Sequence, residues 1–177
     1  DGGSTDRTVA IVKQLQIDHN NLFLLNNQKK IQSSAFNLGV DNSHGEIIIR
    51  WDAHCLYDPE YIHYCVLNHR EGKYGNVGGS IIVLPGSETL MAKSIASLNT
   101  SVFGLGGAAF RRVAERKLVR TVPFGAFRKS VISGVGKMNE NLPRGEDNEY
   151  NSRILEAGYS IILDPRIISY YYSRSSL

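Results

Sequence analysis

The segment IIIRWDAHC, residues 47–55, decides the fold that this sequence predicts. Three apolar β-branched residues follow Gly45-Glu46, which is typical of a short buried strand in a parallel sheet rather than of a helix. Asp52 and His54 come directly after this strand, at the edge where open α/β sheets bind their ligands. Because they are two residues apart, an extended backbone would direct both side chains to one side. A carboxylate and an imidazole that converge there are suited to a divalent metal ion that carries phosphate.

Purely structural roles for the acidic residues stay open on this evidence. Asp52 can cap the helix that is predicted to follow, and His54 can be an ordinary surface histidine. Glu146 and Asp147 begin another predicted helix, which ends near Gly158, and acidic side chains in a first turn stabilise a helix through its dipole. The same dipole favours an ionised carboxylate, which is the state that a general base requires.

The composition favours one globular domain and excludes several functional classes. The 177 residues are 42% hydrophobic and 21% charged, which is ordinary for a globular protein. The net charge of +3 suits an anionic ligand such as a nucleotide, but no basic run is dense enough to predict nucleic-acid binding. Cys55 and Cys65 lack the spacing of a zinc site or a disulfide framework and are expected to be reduced, cytosolic thiols. No apolar run approaches the length of about 18 residues that predicts a membrane span.

Strands that alternate with helices predict an α/β sheet that is parallel at first and mixed towards its end. Gly78 and Gly79 predict the close approach of another backbone to their strand. Pro123 and Gly125 indicate a bent strand or an edge strand. Lys30 is interpreted as a solvated surface residue. Besides the first segment, strands are predicted over residues 21–25, 77–84, 122–127, 161–163 and 167–172.

Both ends of the sequence have the pattern of an excised domain. DGGSTD, residues 1–6, is a turn that no strand precedes, and Ser4 or Thr5 is predicted to cap the helix after it. A glycine turn that leads into a helix can also bind an anion through its free N–H groups. We therefore expect a single domain over residues 1–177 that lacks its N-terminal strand.

The irregular segment over residues 99–120 contains GLGG at 104–107 and is expected to be a mobile loop over a pocket, because loops of this length are usually functional or disordered.

Five further blocks, in a fixed order with the turn at residues 1–6, carry a resemblance to a known family. They are RWDAH (50–54), GLGGAAFR (104–111), TVPFGAFRK (121–129), GEDNEYNSR (145–153) and YYYSRSSL (170–177). With them the sequence resembles the inverting glycosyltransferases of family 2, and among these the bacterial succinoglycan and exopolysaccharide type. The resemblance implies the α/β GT-A fold, with a mostly parallel mixed sheet flanked by helices. It also implies hexosyl transfer from a nucleotide-diphosphate sugar to a glycan or lipid-linked acceptor.

The resemblance implies two functional halves, a nucleotide-binding half over residues 1–84 and an acceptor half over residues 85–177. It assigns the donor side of the reaction to residues in the first half. It implies that Asp1 contacts the base or the ribose of the nucleotide. It implies that Asp52 and His54 occupy the place of the family's Asp-x-Asp motif, which binds the diphosphate and a divalent cation, Mn²⁺ or Mg²⁺. The implied donor is a uridine diphosphate sugar.

The acceptor side is assigned to residues in the second half. The resemblance implies that Asp147 is the catalytic base, with Glu146 beside it. It implies that Arg174 meets the diphosphate or the acceptor. It also implies a lipid-linked or glycan saccharide as acceptor, and a cytoplasmic enzyme at the inner face of the plasma membrane.

Two positions depart from the family pattern. Many members have two aspartates where this chain has Asp1-Gly2, and His54 replaces the second aspartate of Asp-x-Asp. A neutral imidazole can bind manganese, whereas magnesium prefers oxygen ligands. These departures leave open a second function, that of a catalytically inactive nucleotide-sugar-binding or interaction module.

Overall fold

The computed structural model describes residues 1–100, 114–142 and 144–173. GLGG at 104–107, most of the predicted loop and Arg174 lie outside these ranges. The helices are α1 Thr8–Asp18, α2 Gln32–Asn42, α3 Tyr61–Glu71, α4 Leu90–Thr100, α5 Lys129–Val135 and α6 Glu146–Glu156. The strands are β1 Ile47–Ile49, β2 Cys55–Tyr57, β3 Tyr74–Leu84, β4 Lys117–Val119, β5 Ala126–Arg128 and β6 Ser160–Tyr172. None of the helices in the described ranges is both long and apolar enough to cross a bilayer.

The long strand β6 organises the sheet. β3 runs parallel to one edge of β6, while β4 and β2 pair antiparallel with successive parts of its other edge. β5 pairs antiparallel with both β3 and β1, which gives the order β1-β5-β3-β6-β2 with β4 also on β6. The predicted α/β class with a mixed sheet flanked by helices is confirmed, but among the described strands only β3 and β6 pair in parallel. The alternation of strands and helices does not encode which strands become neighbours, and the sheet places β5 between β1 and β3 against chain order.

The segment that begins with Ile47 forms a strand, but its surroundings differ from the prediction. β1 is half-buried and pairs antiparallel with β5, so the predicted buried parallel strand is wrong in both respects. β5 is not an edge strand either, since it lies between two neighbours. Pro123 and Gly125 do not interrupt it because they belong to a tight turn before it, in which the Gly125 N–H donates to the Pro123 carbonyl at 2.7 Å.

Two other predicted strands also change. Residues 21–25 form no strand. The Asp1 backbone lies beside them: its amino group donates to the Leu25 carbonyl at 2.7 Å, and its carbonyl accepts from the Asn27 N–H at 2.7 Å. The two strands predicted over 161–163 and 167–172 are one strand, β6, with a register shift opposite Gly79 and Ser80.

The glycine prediction for β3 is confirmed at this register shift. A Cβ atom at Gly79 would lie 1.8 Å from the carbonyl oxygen of Ile167, so no side chain fits there. The neighbouring Asp164 is fully buried and accepts hydrogen bonds from the Asn68 amide at 2.8 Å and from the Arg166 guanidinium at 2.7 Å. These bonds outweigh burial and lower the pKa of the Asp164 carboxyl.

Side chains from both faces of the sheet form the core. Ile161 and Leu163 of β6 pack with Phe36 of α2 and Ile154 of α6 on one face. Ile162, which points to the other face, packs with a cluster that includes Tyr61 and Cys65 of α3. The alternation along β6 therefore separates helices α2, α5 and α6 from helix α3.

Candidate active site

A cavity of about 820 Å³ lies where the ends of several elements meet. Its walls come from residues 30–33 at the start of α2, residues 121–124 before β5 and residues 144–148 at the start of α6, together with Arg50 and Asp52 after β1. Chain segments that are far apart in the sequence therefore surround one space, and their polar side chains face it together.

Arg50 connects Asp52, which the resemblance assigned to the donor side, with Asp147, which it assigned to the acceptor side. Its Nε and Nη2 donate to the two carboxylate oxygens of Asp52, at 3.1 and 3.3 Å. Its Nη1 donates to Oδ1 of Asp147. The Arg50 side chain is only 10% exposed. The structure therefore brings Asp52 and Asp147 into one cleft on either side of a buried guanidinium.

Gln32 extends this network to Glu146. With the amide oriented to satisfy its neighbours, its nitrogen donates to Oε1 of Glu146 at 2.8 Å and its oxygen accepts from Nη2 of Arg50. Glu146 is thus held beside Asp147, as expected, but it is tied to the wall of the cavity through Gln32.

Asp147 has the surroundings of an accessible but perturbed carboxylate. Burial raises the pKa of its carboxyl, while the Arg50 guanidinium opposes that shift. The lower pKa expected from the helix dipole is therefore wrong, because burial outweighs it. Its side chain is 42% exposed. Among the described residues, hydrogen bonds reach only its Oδ1 atom, which leaves Oδ2 available on the cavity wall. Gly145, with φ of +78°, supplies the left-handed residue from which α6 starts.

Asp52 and His54 do not lie on the extended backbone that the sequence predicted. The backbone after β1 is a turn, in which the Cys55 N–H donates to the Asp52 carbonyl at 3.2 Å, and so the predicted extended geometry is wrong. Asp52 lines the cavity, whereas His54 is exposed and its ring contacts Tyr171 at a centroid distance of 5.3 Å. The Asp52 N–H donates to the Tyr57 hydroxyl at 2.6 Å, and burial raises the pKa of that hydroxyl to about 12, which keeps it neutral.

The described residues form no closed metal site, although Asp52 on the cavity wall could share a divalent cation with a bound ligand. They contain no group of three His, Cys, Asp or Glu side chains that could enclose an ion. The turn does carry one carboxylate and one imidazole, and hard cations are often bound by one or two protein groups together with substrate phosphates and water. This donor set suits a cation that arrives with a diphosphate rather than a closed structural metal site.

The N-terminal turn lies next to the cavity, because Gly3 is beside Lys30 on the cavity wall. The Asp1 carboxylate accepts from the Gly3 N–H at 2.8 Å and from the Ser4 hydroxyl at 2.5 Å, and it does not line the cavity. The predicted cap at Ser4 or Thr5 is wrong, because the N-cap position of α1 is Arg7 and no side chain caps the helix there. The Asp6 carboxylate accepts from the Thr8 N–H at 2.9 Å just before the helix. Lys30, interpreted from the sequence as a solvated residue, is exposed but lines the cavity next to Gly3.

Sequence reasoning missed two basic residues of the cavity, Arg50 and Arg144. A signal for Arg50 was present, since it precedes Asp52 by two residues in the same RWDAH block and such residues share a side of extended backbone. Arg144 precedes the GED sequence and carries no comparable signal, because its position depends on how the segment before α6 folds.

Comparisons with known proteins agree with this architecture. The chain is 31% identical over its whole length to a dolichyl N-acetyl-alpha-D-glucosaminyl phosphate 3-beta-D-2,3-diacetamido-2,3-dideoxy-beta-D-glucuronosyltransferase of Methanococcus voltae and covers 57% of that protein. It is 30% identical over its whole length to the succinoglycan biosynthesis protein ExoA of Rhizobium meliloti and covers 54% of it. The chain therefore spans little more than half the length of these curated relatives.

A solved structure confirms the predicted GT-A fold. The crystal structure of GalNAc-T7 with UDP, GalNAc and Mn²⁺ superposes on 98% of this chain and 37% of its own, with a TM-score of 0.73 and 14% sequence identity. The model of the family described as "Glycosyl transferase family 2" matches residues 1–136, which is most of the chain. The protein belongs to glycosyl transferase family 2.

Proposed function

We propose that this chain forms the catalytic centre of an inverting glycosyltransferase in exopolysaccharide synthesis. It would move a sugar from a nucleotide-diphosphate donor to a glycan or lipid-linked acceptor. The observation that carries this proposal is the Arg50 bridge, which holds Asp52 and Asp147 on the wall of one open cavity. Family membership and the name of the Methanococcus relative support a sugar transferase, and the name of the Rhizobium relative supports a role in succinoglycan synthesis.

The donor would bind on the Asp52 side of the cavity. We assign Asp52 and His54 to a divalent cation, Mn²⁺ or Mg²⁺, which when bound would neutralise charge on the leaving diphosphate. Lys30 and Arg144 on the cavity wall add positive charge that suits the same group. Asp1 is proposed to contact the nucleoside, and a uridine diphosphate sugar is the proposed donor because GalNAc-T7, which has the same fold, was crystallised with UDP.

Transfer would be a single displacement across the cleft. The acceptor hydroxyl oxygen forms a bond to the anomeric carbon while the bond from that carbon to the diphosphate breaks. The hydroxyl proton passes to Oδ2 of Asp147, and the electron pair of the broken bond leaves with the diphosphate. Arg50 keeps the carboxylate of Asp147 oriented, and Glu146 adds negative charge beside it.

The two halves of the chain would divide these tasks. Residues 1–84 would supply Asp52 and Lys30 to the donor, and residues 85–177 would supply the base together with Arg144. We propose that the acceptor enters from the second half and that Arg174 contacts the diphosphate or the acceptor. The name of the Methanococcus relative includes a dolichyl phosphate, and it supports a lipid-linked acceptor for this chain too. Such an acceptor would place the reaction in the cytoplasm, at the inner face of the plasma membrane.

Two isosteric variants separate donor binding from transfer. Asp52→Asn should weaken Mn²⁺-dependent binding of a uridine diphosphate sugar, because a carboxylate at the donor site is lost. Asp147→Asn should bind the donor as the unchanged chain does but lose turnover by about 10³-fold, the usual contribution of a general base. Isothermal titration and release of uridine diphosphate measure the two properties, across a panel of nucleotide sugars.

Asp41→Asn is the matched control for both variants. Asp41 forms an exposed ion pair with Lys137 away from the cavity, so its loss should change neither property. Full turnover by Asp147→Asn would remove Asp147 as the base. Tight donor binding by the unchanged chain without any turnover would instead support the inactive nucleotide-sugar-binding module.

A further inference from the structure

Arg50 has more contacts than an ordinary structural ion pair requires. Four of its hydrogen bonds converge on the cavity: two to Asp52, one to Asp147 and one to the Gln32 amide oxygen. The guanidinium is nearly buried, whereas the Asp147 side chain is 42% exposed. One fixed cation therefore sits between two carboxylates to which the proposed function gives different tasks.

The binding mode on Asp52 has a direct consequence. Nε and Nη2 of Arg50 contact both carboxylate oxygens of Asp52, so those oxygens are already engaged when the cavity holds no donor. A divalent cation that binds Asp52 must compete with this guanidinium, and the positive charge of Arg50 also repels it. Binding of a cation alone should therefore be weaker than Asp52 would otherwise allow.

The binding mode on Asp147 has the opposite consequence. Arg50 contacts only Oδ1, which restrains the rotation of the carboxylate and leaves Oδ2 on the open side. Loss of Arg50 would free the carboxylate to rotate and would leave it without its only ionic partner among the described residues.

We propose that Arg50 is a positioning residue that couples the two sides of the reaction. It holds Asp147 in place for the acceptor, and it opposes cation binding at Asp52 until a diphosphate supplies the compensating negative charge. The coupling of donor and acceptor rests on the proposed transferase function. The competition between Arg50 and a cation for Asp52 depends only on the contacts of Arg50 with that carboxylate. Arg50 itself neither takes the proton nor bonds to the sugar.

Two substitutions of Arg50 test this coupling. Arg50→Gln removes the charge and the planar fork, whereas Arg50→Lys keeps the charge but cannot bind both carboxylates in the same way. For Arg50→Gln we expect Mn²⁺ alone to bind about fivefold more tightly than to the unchanged chain, while kcat falls about 100-fold. For Arg50→Lys we expect Mn²⁺ affinity within about twofold of the unchanged chain and a kcat that is still about tenfold lower.

Arg153→Gln is the matched control for a structural role. Arg153 lies on the same helix as Asp147 and pairs with Glu149 at 2.6 Å, and it also donates to the carbonyls of Val135 and Lys137. It does not line the cavity, so its loss should lower stability in urea without changing Mn²⁺ affinity or kcat.

Equilibrium titration with Mn²⁺ in the absence of nucleotide gives the decisive result. The coupling would be overturned if Arg50→Gln bound Mn²⁺ no more tightly than the unchanged chain. It would also be overturned if neither form bound Mn²⁺. An unchanged kcat in Arg50→Lys would overturn it too, and that measurement remains informative if Arg50→Gln does not fold. Tighter Mn²⁺ binding by Arg50→Gln, with no sugar transfer by any form, would support the competition for Asp52 and refute the transferase function.

Discussion

At the scale of single residues, the candidate site depends on charges whose neighbours come from distant segments. Asp52 could be proposed from the sequence because it follows a predictable strand, whereas Asp147 was proposed as the base because of the family resemblance. Arg50, which joins them, was missed, because the sequence shows which residues are charged but not which of them meet. The predicted direction of the His54 side chain also failed. It assumed an extended backbone from Asp52 to His54, and the structure has a turn there.

The pKa of Asp147 predicts how turnover depends on pH. A general base acts in its ionised form, and burial raises the pKa of this carboxyl. Turnover should therefore begin to fall at a higher pH than for a solvated aspartate as the solution is made acidic, and it should recover fully on return to neutral pH. The measurement is kcat with saturating donor across the acid range, with circular dichroism to confirm that the chain stays folded.

Asp147→Glu provides the comparison for this pH profile. A longer carboxylate that still ionises should keep an acid limb but shift its midpoint, since its distance from Arg50 changes. A rate that stays constant down to a pH of about 4, near the ordinary pKa of aspartate, would exclude Asp147 as the titrating base.

At the scale of elements, helices were easier to predict than strand pairings. α6 begins at Glu146 and is followed by Gly158 in the left-handed conformation, as its sequence predicted, because capping and dipole effects are local. The sheet was harder. The strand predicted over residues 21–25 did not form, and β5 became an inner strand, because pairing depends on partners that periodicity does not identify. Gly79 was the exception, because close approach of another backbone requires a glycine, and a glycine is visible in the sequence.

Alanine substitutions at Gly79 and Gly39 are predicted to change the free energy of unfolding in opposite directions. Gly79→Ala should lower the free energy of unfolding by about 3 kcal/mol, because its Cβ would overlap the Ile167 carbonyl and force β3 and β6 apart. Gly39→Ala should raise the free energy of unfolding by about 0.5–1 kcal/mol, because Gly39 lies inside α2 with open space around the added Cβ. Urea unfolding of both variants measures the difference.

The same magnitude and sign for both variants would contradict this account of the β3–β6 contact. A stabilised Gly79→Ala variant in particular would mean that the two strands can separate at the register shift without cost.

At the scale of the whole molecule, the family was predictable because its motifs are ordered along the chain, and the family model and the relatives confirm the family. The GT-A fold followed from the family rather than from periodicity alone. What the sequence could not supply was the cavity, because its walls combine the start of α2, the end of β1, the turn before β5 and the start of α6. A shared cleft for Asp52 and Asp147 exists only in the folded molecule.

The stereochemistry of the reaction tests most directly whether that cleft supports one displacement. An α-linked uridine diphosphate sugar is incubated with the chain and Mn²⁺, with or without an acceptor, and the anomeric proton of the first product is followed by NMR before mutarotation. A base on one side of the anomeric carbon and a diphosphate leaving from the other predict a product in the β configuration. A product that keeps the α configuration would contradict the account.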